Sequence, residues 1–116
     1  MSEDHFQRVV HLANFPGVEV GTSYGTPALK VKKKLLARMK EDGETVVIPT
    51  SSIDEKEFLI ATEPEVYFQT DHYRAWPHVL VRLPIVTDSR LREMLEAAWR
   101  REAPAKLLKE YEGDPG

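Results

Sequence analysis

The sequence predicts a single α+β domain with two layers: an antiparallel sheet and helices on one of its faces. Three observations lead there. Between residues 18 and 49, several segments place apolar residues at every second position. Segments with apolar residues three or four apart flank them, the helical spacing. The dipeptide Asp42-Gly43 then joins two of the strand-like segments through a tight turn, as antiparallel neighbours require.

The chain has 116 residues, the size of one domain spanning 1–116. Leu, Ile, Val and Phe number 30, enough for a real core. The tail at 112–116 is expected to be loose.

The first helix is expected at about residues 3–14, started by Ser2, with Phe6, Val9, Val10 and Ala13 on its apolar face. Phe15-Pro16-Gly17 stops it, because Pro cannot continue a helix and Gly permits a left-handed turn. Val18–Tyr24 reads as a strand, interrupted by Gly25-Thr26-Pro27. Ala28–Lys32 puts Leu29 and Val31 on one face and Lys30 and Lys32 on the other. In Lys34–Lys40, Leu35, Ala37 and Met39 share a face, opposite Lys34, Leu36, Arg38 and Lys40. A turn at Lys32–Lys34 makes these two strands a hairpin. After Asp42-Gly43, Glu44–Pro49 is a well-buried strand.

Ser52, with Glu55 three residues on, fits a capping box for a helix at about 53–62. Val66–Gln69 is a short strand and Thr70–Pro77 a loop. His78–Pro84 is a strand with Val79, Val81 and Leu83 on its inner face. Asp88 is expected to cap a helix over about 89–102, with Leu91, Met94, Leu95, Ala98 and Trp99 on one side. Pro104 breaks it, and a short helix follows at about 104–111.

Composition excludes several function classes. There is no cysteine, so disulfides, thiolate nucleophiles and thiolate metal sites are out. The start, Met1-Ser2-Glu3-Asp4-His5, lacks the basic and apolar regions of a signal peptide. The expectation is a cytoplasmic protein, not in a membrane. The net charge of −3 does not recruit nucleic acid in bulk. Its distribution is uneven, however. Six of the 16 cations, Lys30, Lys32, Lys33, Lys34, Arg38 and Lys40, fall in eleven residues with no acid among them, leaving 10 cations against 19 acids elsewhere.

The residues Pro16-Gly17-Val18-Glu19, Gly25-Thr26-Pro27-Ala28-Leu29-Lys30-Val31 and Lys34-Leu35-Leu36-Ala37-Arg38 form a recognisable series. It continues with Pro64-Glu65-Val66-Tyr67-Phe68, His72-Tyr73-Arg74, Trp76-Pro77-His78-Val79-Leu80-Val81-Arg82-Leu83 and Ala98-Trp99. In this order the series resembles the MmcQ/YjbR-like family. The resemblance implies an α-β(3)-α-β(2)-α order, as in secretion-chaperone-like folds. It also implies DNA binding of a "double-wing" type, the label that family often carries. Two departures stand out: Lys33 and Ala75 occupy positions where relatives often have Gly.

The hairpin cations make the first candidate site, with phosphates as the partner and counterion release as the signature. The competing assignment is a solvated sheet face, where lysines also discourage edge pairing. The loop Asp71–Pro77 is the second candidate. Tyr73 and Trp76 suit base stacking, and Arg74 suits a phosphate or carboxylate. The competing assignment has Tyr73 and Trp76 plugging the core while Arg74 pairs with an acid. Glu19, Tyr24 and Thr26 lie around the first turn, where they could line a groove with Trp76.

Catalysis finds little support. Asp71 and His72 are adjacent and should point apart, and no Gly-x-Ser-x-Gly elbow is present. His5, His11, His72 and His78 show no metal-ligand spacing. Gly17, Gly21 and Gly25 do not make a phosphate-binding Gly-x-Gly-x-x-Gly. The sequence therefore points to a non-enzymatic domain without cofactor or metal. DNA binding is the leading function, through Lys30, Lys32, Lys33, Lys34, Arg38 and Lys40 with Arg74 and Trp76 supplementary. A protein-interaction or chaperone-like module is one alternative. A small-ligand protein using His72, Tyr73, Arg74 and Trp76 is the other.

Overall fold

Each apolar stripe of the helices needs a partner surface, and the inner face of the sheet supplies it. The computed structural model describes residues 4–113. Helix α1 (His5–Leu12) leads into a four-strand meander, β1 (Val18–Ser23), β2 (Thr26–Val31), β3 (Lys34–Met39) and β4 (Thr45–Pro49). Helix α2 (Ile53–Thr62), strand β5 (Tyr67–Phe68), a 3-10 turn at Asp71–Tyr73 and strand β6 (His78–Arg82) follow. Helices α3 (Asp88–Glu102) and α4 (Ala105–Tyr111) end the fold. All strand pairs are antiparallel, in the order β1-β2-β3-β4-β6-β5. The first run thus holds four strands, as the four alternating segments indicate, where the family order implies three.

Residues of α1, α3 and the inner sheet face make the main core. Val9, Leu29, Val31, Met39, Val46, Ile48, Val79, Val81, Leu91, Leu95 and Trp99 are all buried in it. Leu59 and Ile60 of α2 and Leu107 and Leu108 of α4 pack against the same cluster. Trp99 anchors the chain entry. Its ring stacks 5.3 Å from Phe15, and its Nε1–H donates to the Pro16 carbonyl at 2.9 Å. The outer face carries a smaller cluster of Val47, Leu80 and Tyr73, with Phe68 against it.

Helix starts are fixed by side-chain acceptors. Asp4 accepts from Gln7 N at 3.2 Å and caps α1; Ser2, the expected starter, lies outside the described residues. Ser52 caps α2 by accepting from Glu55 N at 3.0 Å, while the Glu55 carboxylate takes the Ser51 backbone N–H at 2.6 Å. For α3 the cap is Thr87, not Asp88. Thr87 Oγ1 accepts from Arg90 N, which frees Asp88 to pair with Arg8 at 2.6 Å.

The hairpin departs from simple alternation. Leu29 pairs with Ala37 but Lys30 pairs with Leu35, so Leu36 has no cross-strand partner. This is a β-bulge, and it re-aims the side chains on either side of it. Leu36 joins Ala37 and Met39 in the core instead of lying beside Arg38. Leu35 moves to the outer face with Lys30. Lys34, opposite Val31, lies on the inner side of the sheet and away from Lys30. The six cations are therefore not on one pleat face.

Candidate nucleic-acid interface

The fold sorts the eight predicted contact residues into three places. Lys32, Lys33 and Lys34 are exposed at the hairpin tip. Lys32 and Lys33 form the tight turn with φ of 49° and 69°, left-handed conformations that a lysine adopts at some cost. Lys30 is half-buried and sits across from Glu19 of β1.

Arg38 and Lys40 lie toward the other end of β3. Arg38 is only 6% exposed. Its Nη1 donates to Thr26 Oγ1 at 2.9 Å and to the Met39 carbonyl at 3.3 Å, and its Nη2 donates to Tyr73 Oη at 2.9 Å. The Tyr24 ring covers it at 5.4 Å. Lys40 reaches over the Tyr73 ring at 5.6 Å and lies 3.9 Å from Glu41. Asp42 follows closely. Burial raises its pKa, but the N–H groups of Glu44 and Thr45, the Thr45 hydroxyl and the Lys40 charge outweigh that and hold the carboxyl below its ordinary value.

The third place is the loop between β5 and β6. Arg74 and Asp71 are both exposed and are bonded to each other at 2.6 Å. Asp71 therefore orients Arg74 and not His72. Trp76 is 57% exposed, so it does not plug the core, whereas Tyr73 is buried.

One residue outside the predicted set organises this loop. Lys56 of α2 is fully buried, and its Nζ donates to the carbonyls of Tyr73 (2.9 Å), Arg74 (3.2 Å) and Trp76 (2.6 Å). Three acceptors match the three N–H donors of an ammonium. Desolvation pushes the Lys56 pKa down, Glu57 opposes this and Arg74 adds to it. In sequence, Lys56 stands in register with Leu59 and Ile60 on the apolar stripe, which is the one signal of its burial.

The loop and the outer sheet face enclose a pocket of about 320 Å³. Leu35 and Val47 give it an apolar wall, Arg38 and Tyr73 a polar one, and Tyr24, Trp76 and His72 line the rest. His78 also lines it; its buried Nδ1 has no partner among the described residues. Burial pushes the His78 imidazole below its ordinary 6.5, and the Lys56 charge pushes the same way. Tyr24, at 90% exposure, and Trp76 thus meet on one site from turns far apart in sequence. Glu19 is not part of it.

Against proteins of known sequence, a family model described as YjbR matches residues 13–101. The chain belongs to the YjbR family. Among its relatives, the uncharacterized protein Rv2570 of Mycobacterium tuberculosis is 34% identical over 93 residues, covering 78% of this chain and 72% of that one. The uncharacterized protein Mb2600 of Mycobacterium bovis matches to the same extent. The YjbR domain also superposes on the crystal structure of Deinococcus radiodurans protein DR2400, a DUF419 domain. The TM-score is 0.66 at 18% identity, over 92% of this chain and 85% of the other. That likeness fixes the fold of this YjbR domain. Among its described residues no helix is long and apolar enough to cross a membrane, and no group of three His, Asp or Glu side chains could hold a metal ion.

Proposed function

We propose that this domain binds single-stranded nucleic acid on the outer face of its sheet. The observation that carries this reading is the convergence of Tyr24 and Trp76, both exposed aromatics, on a pocket with a cationic wall. Exposed rings of this kind stack on bases without regard to sequence, each worth about 1–3 kcal/mol. The pocket is continuous with the basic hairpin, because Leu35 lines it and pairs with Lys30. A base in the pocket leaves its flanking phosphates near Lys30, Lys32 and Lys33. Arg38 acts within the pocket wall, Lys40 stays over the Tyr73 ring outside it, and Arg74 stays bound to Asp71. This is a binding role in the cytoplasm, without catalysis.

Anisotropy titrations of labelled single strands and duplexes at low salt test it. Single strands should bind more tightly, with salt sensitivity, and should quench tryptophan emission, since Trp76 is exposed and Trp99 is buried. Salt-insensitive binding, or binding that leaves the emission unchanged, would sink the idea.

A protein-interaction role draws on a different feature. Strand β1 is a six-residue sheet edge whose residues are exposed or half-exposed, with no Lys or Pro, whereas the opposite edge, β5, is only two residues long. Such an edge can pair with another strand. A pull-down that returns one stoichiometric, nuclease-resistant partner, lost on Val20→Lys, supports this role; capture unchanged by that substitution counts against it.

A further inference from the structure

Among the described residues, Arg38 has no carboxylate within ion-pair distance. It is nine-tenths buried, and among the described residues its hydrogen-bond partners are a hydroxyl, a carbonyl and a phenol, all neutral. The Tyr24 ring offers only the partial negative charge of its face. A buried cation without an anion is unfavourable, and folds keep such groups where a ligand completes them. The guanidinium has five N–H donors, and three are used, so two remain. Two donors on one planar group suit the two oxygens of an oxyanion.

The walls define what the oxyanion is attached to. Leu35 and Val47 are apolar, and Trp76 and Tyr24 present flat rings. At about 320 Å³ the space is at the small end for ligand sites and accommodates one ring system, not an extended chain. His78 adds an unpartnered nitrogen, Nδ1, for a further polar contact. The hairpin lysines differ in kind, because an anion beside them stays in water.

We infer that the pocket binds an oxyanion, carboxylate or phosphate, carried on a flat ring, with Arg38 taking the anion and Trp76 stacking on the ring. This deepens the reading of the outer face as a nucleic-acid surface and rests on the same pocket. Two sources supply the chemistry: the 5′-phosphorylated end of a strand, or a free aromatic carboxylate or mononucleotide.

The test titrates the full chain and follows tryptophan emission and thermal midpoint. The probes are AMP, benzoate, inorganic phosphate, and one oligothymidylate with either a 5′-phosphate or a 5′-hydroxyl. If the strand end is the source, the phosphorylated strand binds roughly tenfold or more tightly than its partner, the scale of a charge-assisted hydrogen-bond pair. If a free ligand is the source, AMP or benzoate binds and raises the midpoint while strand phosphorylation changes nothing. In either case Arg38→Gln abolishes the preference for the anion. Trp76→Ala, an exposed loop change that leaves the fold intact, weakens ring-bearing probes but not inorganic phosphate. Equal binding of both strands together with no response to AMP or benzoate overturns the inference while leaving nucleic-acid binding standing. Response to AMP or benzoate with neither strand bound overturns the nucleic-acid reading and supports this one. An Arg38→Gln protein that is folded and still prefers the anion also overturns it.

Discussion

Lys56 Nζ lies 2.6 Å from the carbonyl oxygen of Trp76, and this contact ties helix α2 to the rim of the pocket. With the Tyr73 and Arg74 carbonyls it gathers the loop's backbone around one buried ammonium. Replacing Lys56 by Met keeps the apolar stem and removes the donors. Three carbonyls then lose their partner, so the variant should lose about 2–4 kcal/mol of stability in urea unfolding. Faster amide exchange confined at first to residues 70–77, and a shift in Trp76 emission, should accompany it. An unchanged urea midpoint would mean the loop is held by other contacts.

His78 makes stability depend on pH in a defined window. Its folded pKa lies below 6.5 because of burial first and the Lys56 charge second. The unfolded chain therefore binds the proton at a higher pH than the folded one. Stability is fully present above about pH 6.5 and falls as the pH drops through the folded pKa. The carboxyls of Asp42 and Glu55, also lowered, lose their contributions only further into acid, below about 4.5. Between pH 7 and 5, His78→Gln should flatten the stability profile relative to the wild type. Parallel profiles would show that His78 does not set the slope.

Particular residues show how much of this was legible in the sequence. Alternation placed Arg38 on the outer face, which holds, but its burial depends on Tyr24 and on Tyr73, which lies 35 positions away. No local pattern reports such a contact. Alternation puts Leu36 and Lys34 on the outer face and the fold puts both on the inner one, because nothing in Lys34-Leu35-Leu36-Ala37 marks a bulge; two adjacent leucines read equally well in either register. Thr87 and Asp88 are both good caps and stand side by side, so spacing alone did not choose between them. The strands themselves were legible, since β-branched residues, Pro49 and Asp42-Gly43 all act locally. Of Glu19, Tyr24 and Thr26, the three residues of the first turn that could line a groove with Trp76, only Tyr24 does so, and the role of Lys56 appears only once the loop is folded over it.

The hairpin turn trades stability for charge. Lys33 has φ of 69°, a conformation glycine adopts freely. Lys33→Gly should raise stability by about 1 kcal/mol, or roughly 3–6 °C in thermal midpoint. The same change should weaken single-strand binding and reduce the slope of log affinity against log salt by about 0.7, the loss of one phosphate contact. Lys33→Ala should reduce that slope equally without the gain in stability. A Gly variant that gains stability and keeps its full salt slope would remove Lys33 from the contact surface.

Gly17 joins α1 to the sheet at a place where a side chain would meet Leu107 of α4. Its φ is +78°, and a Cβ there would stand 2.5 Å from Leu107 Cδ1 of α4. The left-handed backbone costs an alanine about 1 kcal/mol, and displacing Leu107 from the core margin adds a comparable amount. Gly17→Ala should therefore lower stability by about 2 kcal/mol. The strain is shared with α4, so pairing it with Leu107→Ala should cost less than the two single changes combined, because the smaller side chain leaves room for the new methyl. Urea unfolding of the four proteins in this cycle measures the coupling. Strict additivity would show that the backbone conformation alone, and not the contact with Leu107, requires glycine at this position.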